Sequence, residues 1–331
     1  MNSHMIPDQK FYQLDSEFAM EALETIGFKC TGSFLKLNSF ENRVYDIFLD
    51  DSEQPYELSQ HVIIKLYRPN RWTKNALDDE HLFYHQLKEA GLSVIAPLQI
   101  NGQSLFSHEG IWFCVYKKGL GRLVNELSLK QYEIVGGRLA QIHNIGELQT
   151  APHRPFLSTE TFGDSSLEVL QKFVPLELWD RYLSTANDLL DYLDDLLDPS
   201  SFIRIHGDCH KGNLLIKDDF STPRPDYMFV DFDDFINGPI EQDFWMLLPD
   251  TFSNSEKEFQ SLMKGYHELR VPKKINPMLM EALRGLRIIH YSAWIGRRWL
   301  DPLFPDTFPQ YKDYSYWIEE LEALEKILWS I

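Results

Sequence analysis

Residues 203–234 constrain the fold of this chain more than any other part of the sequence. An apolar run leads into a His-Gly-Asp triplet that ends at Asp208, Asn213 follows five residues later, and a second apolar run precedes Asp231. The second apolar run reads as a short buried strand, so that Asp231 follows a strand end. An aspartate, an asparagine five positions on and an aspartate after a strand are the groups that position a hydroxyl and Mg²⁺ against a nucleotide γ-phosphate. The pattern predicts phosphotransferase chemistry.

Each polar residue of this stretch receives a predicted role. Asp208 is the catalytic base that orients the attacking hydroxyl and accepts its proton. Asn213 and Asp231 offer hard oxygen ligands and are predicted to bind Mg²⁺, with Asp231 also counted as catalytic. Asp233 and Asp234 either assist a second metal ion, contact the substrate or are simply solvated.

Three further residues near this stretch receive weaker predictions. Asp243 is predicted to lie at the start of a helix and to accept backbone amides of the catalytic loop, which is a structural role. His206 is predicted to pack and hydrogen-bond within the same loop. His210 is a candidate for contact with metal or phosphate.

A lysine upstream of this stretch needs a partner. Lys65 lies in a β-branched run, where a buried ammonium requires a carboxylate or a phosphate. Glu80, on the following helix, is the predicted partner, with Asp78 and Asp79 as alternatives. Such a lysine–glutamate pair would bind the α- and β-phosphates of ATP, whereas an edge-strand lysine with its ammonium in solvent is the other interpretation.

Two segments are predicted to contact the rest of the nucleotide. The turn at 38–42 contains no glycine, but it could present backbone amides and the Ser39 hydroxyl to phosphate oxygens. Its residues are equally ordinary turn formers. The strand around Val115 would place backbone groups where adenine could bind.

Hydrophobic periodicity predicts an α+β protein with two parts. Strands are predicted at 34–37, 44–49, 61–67, 98–101 with 104–107, and 111–116; helices are predicted at 73–90, 131–144, 176–197, 255–268, 278–299 and 314–331. An acidic loop is expected at 50–57. The predicted organisation is a β-rich lobe with one helix at 7–116, a linker at 117–125 and a mainly helical lobe at 126–331.

The charge and composition of the chain restrict the classes of molecule that it is expected to bind. A net charge of −18 disfavours nucleic acid and anionic membranes as partners. The charge suits a cationic substrate, or it serves only solubility. The three cysteines are far apart, and no apolar run approaches the length of a membrane span. With no apolar signal core at the N-terminus either, we predict a cytoplasmic protein.

The segment at 284–308 allows two interpretations. It carries basic and aromatic residues at helical spacing, namely Arg287, His290, Trp294, Arg297, Arg298 and Trp299. They could form an aromatic wall that binds a cation, or they could belong to a packed helix with paired arginines.

The motifs HGDCHKGN and FVDFDD resemble the aminoglycoside phosphotransferase and choline kinase branch of the protein-kinase-like superfamily. The segments NSFENRVY, IKLYRPNRWT, DFDDFINGPIEQDFWML and AWIGRRWLDPLFP resemble, more closely, the bacterial stress response kinase A family, over about residues 30–320. The resemblance implies a bilobal kinase fold, MgATP, cytoplasmic Ser/Thr phosphorylation of proteins and a role in protecting cells under stress. The chain itself is one candidate acceptor, and we expect a monomer. The resemblance assigns proton acceptance to Asp208, Mg²⁺ binding to Asn213 and Asp231, and ATP contacts to Lys65 and Ser39.

The chain departs from regulated protein kinases in several motifs. HGD replaces HRD, DFD replaces DFG, and neither a glycine-rich loop nor an APE motif is found. Only eleven residues separate Asp231 from Asp243, so constitutive activity is expected. A small-molecule kinase for an aminoglycoside, choline or similar amine remains an alternative on the same fold. An ATP-binding scaffold without turnover is the third reading.

Overall fold

A computed structural model describes residues 7–50, 60–119, 121–217, 225–272 and 274–331. The chain divides into two compact units, the first formed by residues 1–122 and 217–230 and the second by residues 123–216 and 231–331. The predicted linker at 117–125 and the lobe bounds around it stay predictions. Of the described residues beyond this linker, 217 and 225–230 group with the first unit. Apart from Asp50, the predicted acidic loop lies outside the described residues.

The first unit contains a five-stranded antiparallel sheet. Its strands are β1 (Cys30–Lys36), β2 (Arg43–Leu49), β3 (His61–Leu66), β4 (Phe106–His108) and β5 (Ile111–Lys117), in the order β1-β2-β3-β5-β4. The alternation of β-branched and aromatic residues favours these strands. Lys65 lies opposite Cys114 in the register of β3 and β5, which holds the lysine in the middle of the sheet and not at an edge.

Among its described residues, the first unit has three helices, where the sequence predicted one. They are α1 (Pro7–Tyr12), α2 (Ser16–Thr25) and α3 (Lys74–Glu89). Asp15 begins α2 by accepting the backbone N–H of Phe18 at 3.0 Å, and Ala19 and Leu23 bury an apolar face. The capping aspartate and the apolar spacing were sequence signals for α2 that the prediction did not use. By contrast, the prediction of α3 at 73–90 is confirmed.

The predicted strand at 98–101 is wrong. Only an isolated bridge joins Ile100 to Gln103, and β4 starts later, at Phe106. Pro97 has no N–H for a ladder, and Asn101 has a φ of 51° in the tight turn that follows. Leu98 makes one backbone hydrogen bond to Val115, but the chain turns at 101–102 before a continuous ladder forms.

The second unit is mainly helical, as predicted. Its helices are α4 (Leu129–Gly146), α5 (Ser165–Leu170), α6 (Leu176–Leu196), α7 (Glu241–Leu247), α8 (Glu256–His267), α9 (Pro277–Arg297), α10 (Leu303–Thr307) and α11 (Tyr314–Ser330). A π turn covers Glu160–Asp164, and 3₁₀ turns cover Pro199–Ser201, Lys211–Asn213, Phe232–Asp234, Phe252–Asn254 and Pro309–Lys312. Every long helix predicted in this part of the chain is found within a few residues of its expected bounds.

Short strands frame the polar stretch of the sequence. They are β6 (Arg122–Leu123), β7 (Ile203–Ile205), β8 (Leu214–Lys217), β9 (Asp226–Phe229) and β10 (Ile236–Gly238). Within the second unit, β7 pairs antiparallel with β10, and Ile205 lies opposite Ile236. Within the first unit, Phe229 of β9 bridges to Val94, and the Ser93 hydroxyl donates to Asp226. Among the described residues, none of the helices is long and apolar enough to cross a bilayer.

Candidate active site

The catalytic loop begins where β7 ends, and Gly207 turns the chain there. Its φ is +80°, a value that L-residues with a side chain rarely adopt. A Cβ at this position would lie 2.3 Å from the carbonyl oxygen of Asp234, so the loop packs directly on the turn that follows Asp231. Glycine between His206 and Asp208 is therefore required by both backbone conformation and space.

Asp243 of α7 accepts hydrogen bonds from the backbone of this loop. Its Oδ2 accepts the backbone N–H of His206 at 2.8 Å, and its Oδ1 accepts that of Gly207 at 2.9 Å. The predicted role of Asp243 is confirmed. Nε2 of buried His143 on α4 lies 3.0 Å from the same carboxylate, and Nδ1 lies 2.9 Å from the Tyr266 hydroxyl of α8. Burial lowers the pKa of His143 against the opposing pull of Asp243, which keeps the ring neutral.

Asp208 and Asn213 are brought together by a turn between them. Asn213 Nδ2 donates to the backbone oxygen of Asp208 at 3.0 Å and to its Oδ2 at 3.2 Å. His210 caps the 3₁₀ turn by accepting the Gly212 N–H at Nδ1, and its Nε2 lies 3.3 Å from Asp208 Oδ2. Both nitrogens of His210 are thus engaged within the loop, which gives no support to its predicted contact with metal or phosphate.

The Asp208 carboxylate has a cationic partner that sequence reasoning did not assign to it. Arg287 of α9 donates to Asp208 Oδ1 at 2.8 Å. Burial alone would raise the pKa of Asp208, but the Arg287 guanidinium and the His210 hydrogen bond outweigh it and hold this pKa well below its usual range. Asp208 is therefore an ionised carboxylate near neutral pH. The sequence singled out Arg287 only as one member of the basic and aromatic segment.

Asp231 lies on a turn beside the same loop. It adopts a left-handed conformation with φ 61°, and the 3₁₀ turn after it leads into β10, the partner of β7. The Phe232 ring packs on the His206 ring with centroids 4.4 Å apart. His206 also accepts the Asp208 N–H at Nδ1, so its predicted packing role is confirmed. Asp231 itself is exposed.

Lys65 and Glu80 meet inside the first unit. The Lys65 ammonium lies 3.8 Å from Glu80 Oε1, and both side chains are buried. The Tyr67 hydroxyl donates to Glu80 at 3.3 Å and lies 3.0 Å from His81 Nε2. Of the alternatives, Asp78 instead pairs with Lys74 at the helix surface. The predicted lysine–glutamate pair is therefore found.

Ser39 and Val115 occupy less informative positions in the first unit. The Ser39 hydroxyl accepts the Asn42 N–H at 3.4 Å in the turn between β1 and β2, an ordinary turn contact. Val115 is fully buried, and its carbonyl already accepts the Leu98 N–H at 2.7 Å. The nucleotide contacts of both residues stay predictions, and this geometry gives that of Val115 no support.

The segment at 284–308 packs as a helix with paired arginines, one of its two interpretations. Besides Arg287, the Arg297 guanidinium donates to the Ser165 carbonyl at 2.9 Å. Trp294 stacks on Tyr291 with centroids 5.4 Å apart. The arginines of α9 therefore have specific partners in the second unit.

Comparison with known proteins places this geometry in a family. The model of the phosphotransferase enzyme family (APH) matches residues 36–277, which include every predicted site residue but end before Arg287. Stress response kinase A of Escherichia coli (strain K12) is 33% identical over 313 residues, 94% of this chain and 91% of that protein. The serine/threonine protein kinase RdoA of Salmonella typhimurium (strain LT2) is 33% identical over 316 residues, 93% of this chain and 90% of that protein.

Solved structures share the fold at lower identity. The amicoumacin kinase hAmiN, solved with AMP-PNP and Ca²⁺, has a TM-score of 0.72 at 16% identity and covers 97% of this chain and 96% of its own. A microcompartment-associated aminopropanol kinase has a TM-score of 0.72 at 20% identity and covers 96% of this chain and 98% of its own. The family resemblance inferred from the motifs is thus confirmed, and the chain belongs to the phosphotransferase enzyme family, with the α+β fold of its kinases.

Proposed function

We propose that this chain is a Ser/Thr protein kinase of the stress response kinase A type, which uses ATP and Mg²⁺ in the cytoplasm and protects cells under stress. The observation that carries the proposal is the contact of Asn213 with Asp208. Because the Asn213 amide nitrogen donates to Asp208, its amide oxygen is directed away from that carboxylate and is available to a cation. The names of the relatives at 33% identity support a protein acceptor.

The proposed step is an in-line phosphoryl transfer. The acceptor hydroxyl oxygen forms a bond to the γ-phosphorus, the bond from that phosphorus to the β–γ bridging oxygen breaks, and ADP leaves. The hydroxyl proton passes to an oxygen of Asp208. The lowered pKa of Asp208 makes it a weak base, which suits a loose transition state in which the base mainly orients the hydroxyl and accepts the proton late.

The residues present fit Mg²⁺. The Asn213 amide oxygen and the exposed Asp231 carboxylate are the hard ligands this ion prefers; Asn213 lies on the loop after β7, and Asp231 precedes β10, the strand that pairs with β7. Among the described residues there is no cluster of three or more His, Cys, Asp or Glu side chains that could hold a metal. Mg²⁺ is commonly held by one or two protein oxygens together with substrate phosphates, whose charge it neutralises when bound.

Lys65 is proposed to bind the α- and β-phosphates. The buried Lys65 ammonium lies 3.8 Å from the Glu80 carboxylate, and a buried cation is stabilised by anionic groups such as a carboxylate or a phosphate. Lys65→Ala is expected to raise the KM for ATP more than tenfold. Lys74→Ala, which removes an exposed lysine of α3, is the matched control and is expected to leave this KM unchanged.

A small-molecule kinase is the second candidate function. The solved structures with this fold include, by name, kinases of aminopropanol and choline, and the net charge of −18 would attract a cationic acceptor. Both observations concern the fold and the whole chain, and neither concerns the contacts of Asp208.

The test supplies γ-labelled ATP and Mg²⁺ with casein, with the chain alone and with a panel of amino alcohols. Label in protein that falls about 100-fold or more in Asp208→Ala, at an unchanged KM for ATP, supports the proposal. Asp231→Ala is expected to lower both turnover and ATP affinity, whereas the exposed Asp306→Ala is expected to change neither. Label only in amines would establish the second candidate. A rise in Tm with MgATP but no turnover would indicate a nucleotide-binding scaffold.

A further inference from the structure

The proposed base is paired with a cation that lies outside the part of the chain matched by the family model. Arg287 donates to Asp208 Oδ1 at 2.8 Å, while Asn213 and His210 contact Oδ2. Each carboxylate oxygen accepts about two hydrogen bonds. An acceptor hydroxyl therefore finds its place on Oδ1, where Arg287 is the single donor among the described residues. A hydroxyl bound there lies directly beside the guanidinium.

The remaining donors of Arg287 are available to a ligand. One terminal nitrogen of Arg287 donates to Asp208. Among the residues that the structure describes, the guanidinium makes no second hydrogen bond, and 28% of the side chain is exposed. A guanidinium presents five N–H groups in a planar fork that matches a carboxylate or phosphate. Arg287 can therefore hold Asp208 and a second anionic group at the same time.

The same position disfavours a cationic acceptor. The Arg287 guanidinium carbon lies 5.8 Å from the centroid of the Tyr291 ring, one turn further along α9. Tyr291 is 38% exposed, but the place of a cation near its ring is taken by the arginine. An ammonium group bound beside the reacting hydroxyl would meet a like charge, and an anionic group would meet an opposite one.

We propose that Arg287 determines acceptor specificity by binding an anionic group next to the hydroxyl that is phosphorylated. This inference rests on the proposed function, and for a protein acceptor it predicts Ser or Thr flanked by Asp, Glu or a phosphorylated residue. The charge of −18 opposes this only at long range, since charges more than about 8 Å apart are screened at physiological ionic strength. Contact with Arg287 acts within that distance.

The test compares three peptides with one serine each. The residues on both sides of that serine are Glu in the first peptide, Gln in the second and Lys in the third. The wild-type chain is expected to phosphorylate the Glu peptide with a kcat/KM at least tenfold above that of the Lys peptide. In Arg287→Gln the three peptides become equal within about threefold. Arg287→Lys keeps the charge without the fork, and is expected to retain part of the preference.

Arg284→Gln is the matched control. Arg284 lies one turn earlier on α9, and its guanidinium is engaged by Glu281 and by the Asp250 carbonyl. Its loss should leave the peptide preference unchanged. A wild-type chain without preference for the Glu peptide, or a preference that survives in Arg287→Gln, would overturn the inference while the protein kinase activity stands. If Arg287→Gln fails to fold, the inference is tested by the preference of the wild-type chain and of Arg287→Lys for the Glu peptide over the Lys peptide. An equal preference in both would contradict it. Label in amines alone would overturn the proposed function and this inference together.

Discussion

Gly207 joins the two halves of the candidate catalytic centre. Its φ of +80° and its approach to the Asp234 carbonyl leave no room for a Cβ. Gly207→Ala is expected to lower the free energy of unfolding by roughly 3 kcal/mol, since left-handed strain of about 1–2 kcal/mol adds to a clash with backbone atoms. Turnover is expected to fall at least 100-fold, because Asp208 is the next residue. Urea unfolding and initial rates measure the two effects.

Gly110 provides the control for that substitution. Its φ is +83°, yet a Cβ there would meet nothing within 4 Å. Gly110→Ala should therefore show the strain alone, about 1 kcal/mol, at unchanged turnover. Equal losses in both variants would mean that contact with Asp234 contributes nothing.

Asp243 makes a different kind of contribution, through charge. It accepts two backbone amides and faces His143, all without exposure to water. Asp243→Asn keeps the size but turns one acceptor into a donor that faces another N–H, and is expected to cost about 3 kcal/mol of unfolding free energy. Asp306→Asn, at an exposed position of α10, should stay within about 0.5 kcal/mol of wild type. Similar values for both would show that the buried carboxylate does not hold the loop.

These single residues differ in how far the sequence could predict them. Glu80 was predictable because a buried lysine on a strand demands a carboxylate on the next element. Asp243 was predictable from its place at a helix start just after the catalytic motifs. Arg287 was not, because it is 79 residues from Asp208, and which of the basic residues of its segment reaches that carboxylate depends on how α9 packs.

Helices α9 and α11 are joined by a polar contact inside an aromatic cluster. The Ser292 hydroxyl donates to Glu320 Oε2 at 2.7 Å and lies 2.7 Å from the Tyr316 hydroxyl. Burial raises the pKa of Glu320 to about 7, partly opposed by the Ser292 hydrogen bond. Burial therefore favours a protonated Glu320 carboxyl, against the pull of the Ser292 hydrogen bond.

This raised pKa predicts a pH dependence of stability. Between about pH 4.5 and 7 the folded chain keeps a proton on Glu320 that the unfolded chain has released, so this stabilisation is complete below pH 4.5 and is lost as the pH rises through 7. Glu320→Gln mimics the protonated form. Its unfolding free energy should match wild type near pH 4 and exceed it by about 3 kcal/mol at pH 8. Urea titrations at four pH values test this, with exposed Glu322→Gln as the control; a pH-independent difference would contradict it.

At the level of helices and strands, periodicity predicted most of what the second unit contains. Long amphipathic repeats predict helices well because burying one face is what stabilises them. The misses were short elements. The α2 helix relied on a cap at Asp15, and the false strand at 98–101 was a short apolar segment that follows Pro97 and ends in a tight turn. In such short segments, local backbone chemistry outweighs the apolar pattern.

For the molecule as a whole, the sequence predicted an α+β kinase fold and the residue types of its site. It did not predict that residues 225–230 pack with the first unit. That grouping depends on contacts made by Phe229 and Asp226 with residues 93–94, and nothing local in 225–230 specifies partners so far away in the sequence. Predicted ATP-contacting residues fall in the first unit, and Asp208, Asn213 and Asp231 fall in the second.

The short connection after Asp231 predicts a kinase without an activation step. Of the eleven residues before Asp243, three form a 3₁₀ turn, three form β10 and pair with β7, and α7 starts at Glu241. No length is left for a segment that phosphorylation could order.

Phosphatase-treated chain is therefore expected to phosphorylate its acceptor at the same initial rate as untreated chain, with no lag. A lag that shortens after preincubation with MgATP, and that is absent when phosphorylated chain is supplied, would contradict this. The control is the Asp208→Ala variant after it has been phosphorylated by the wild-type chain. It should remain inactive, which shows that any activity measured comes from the catalytic site and not from phosphorylation itself.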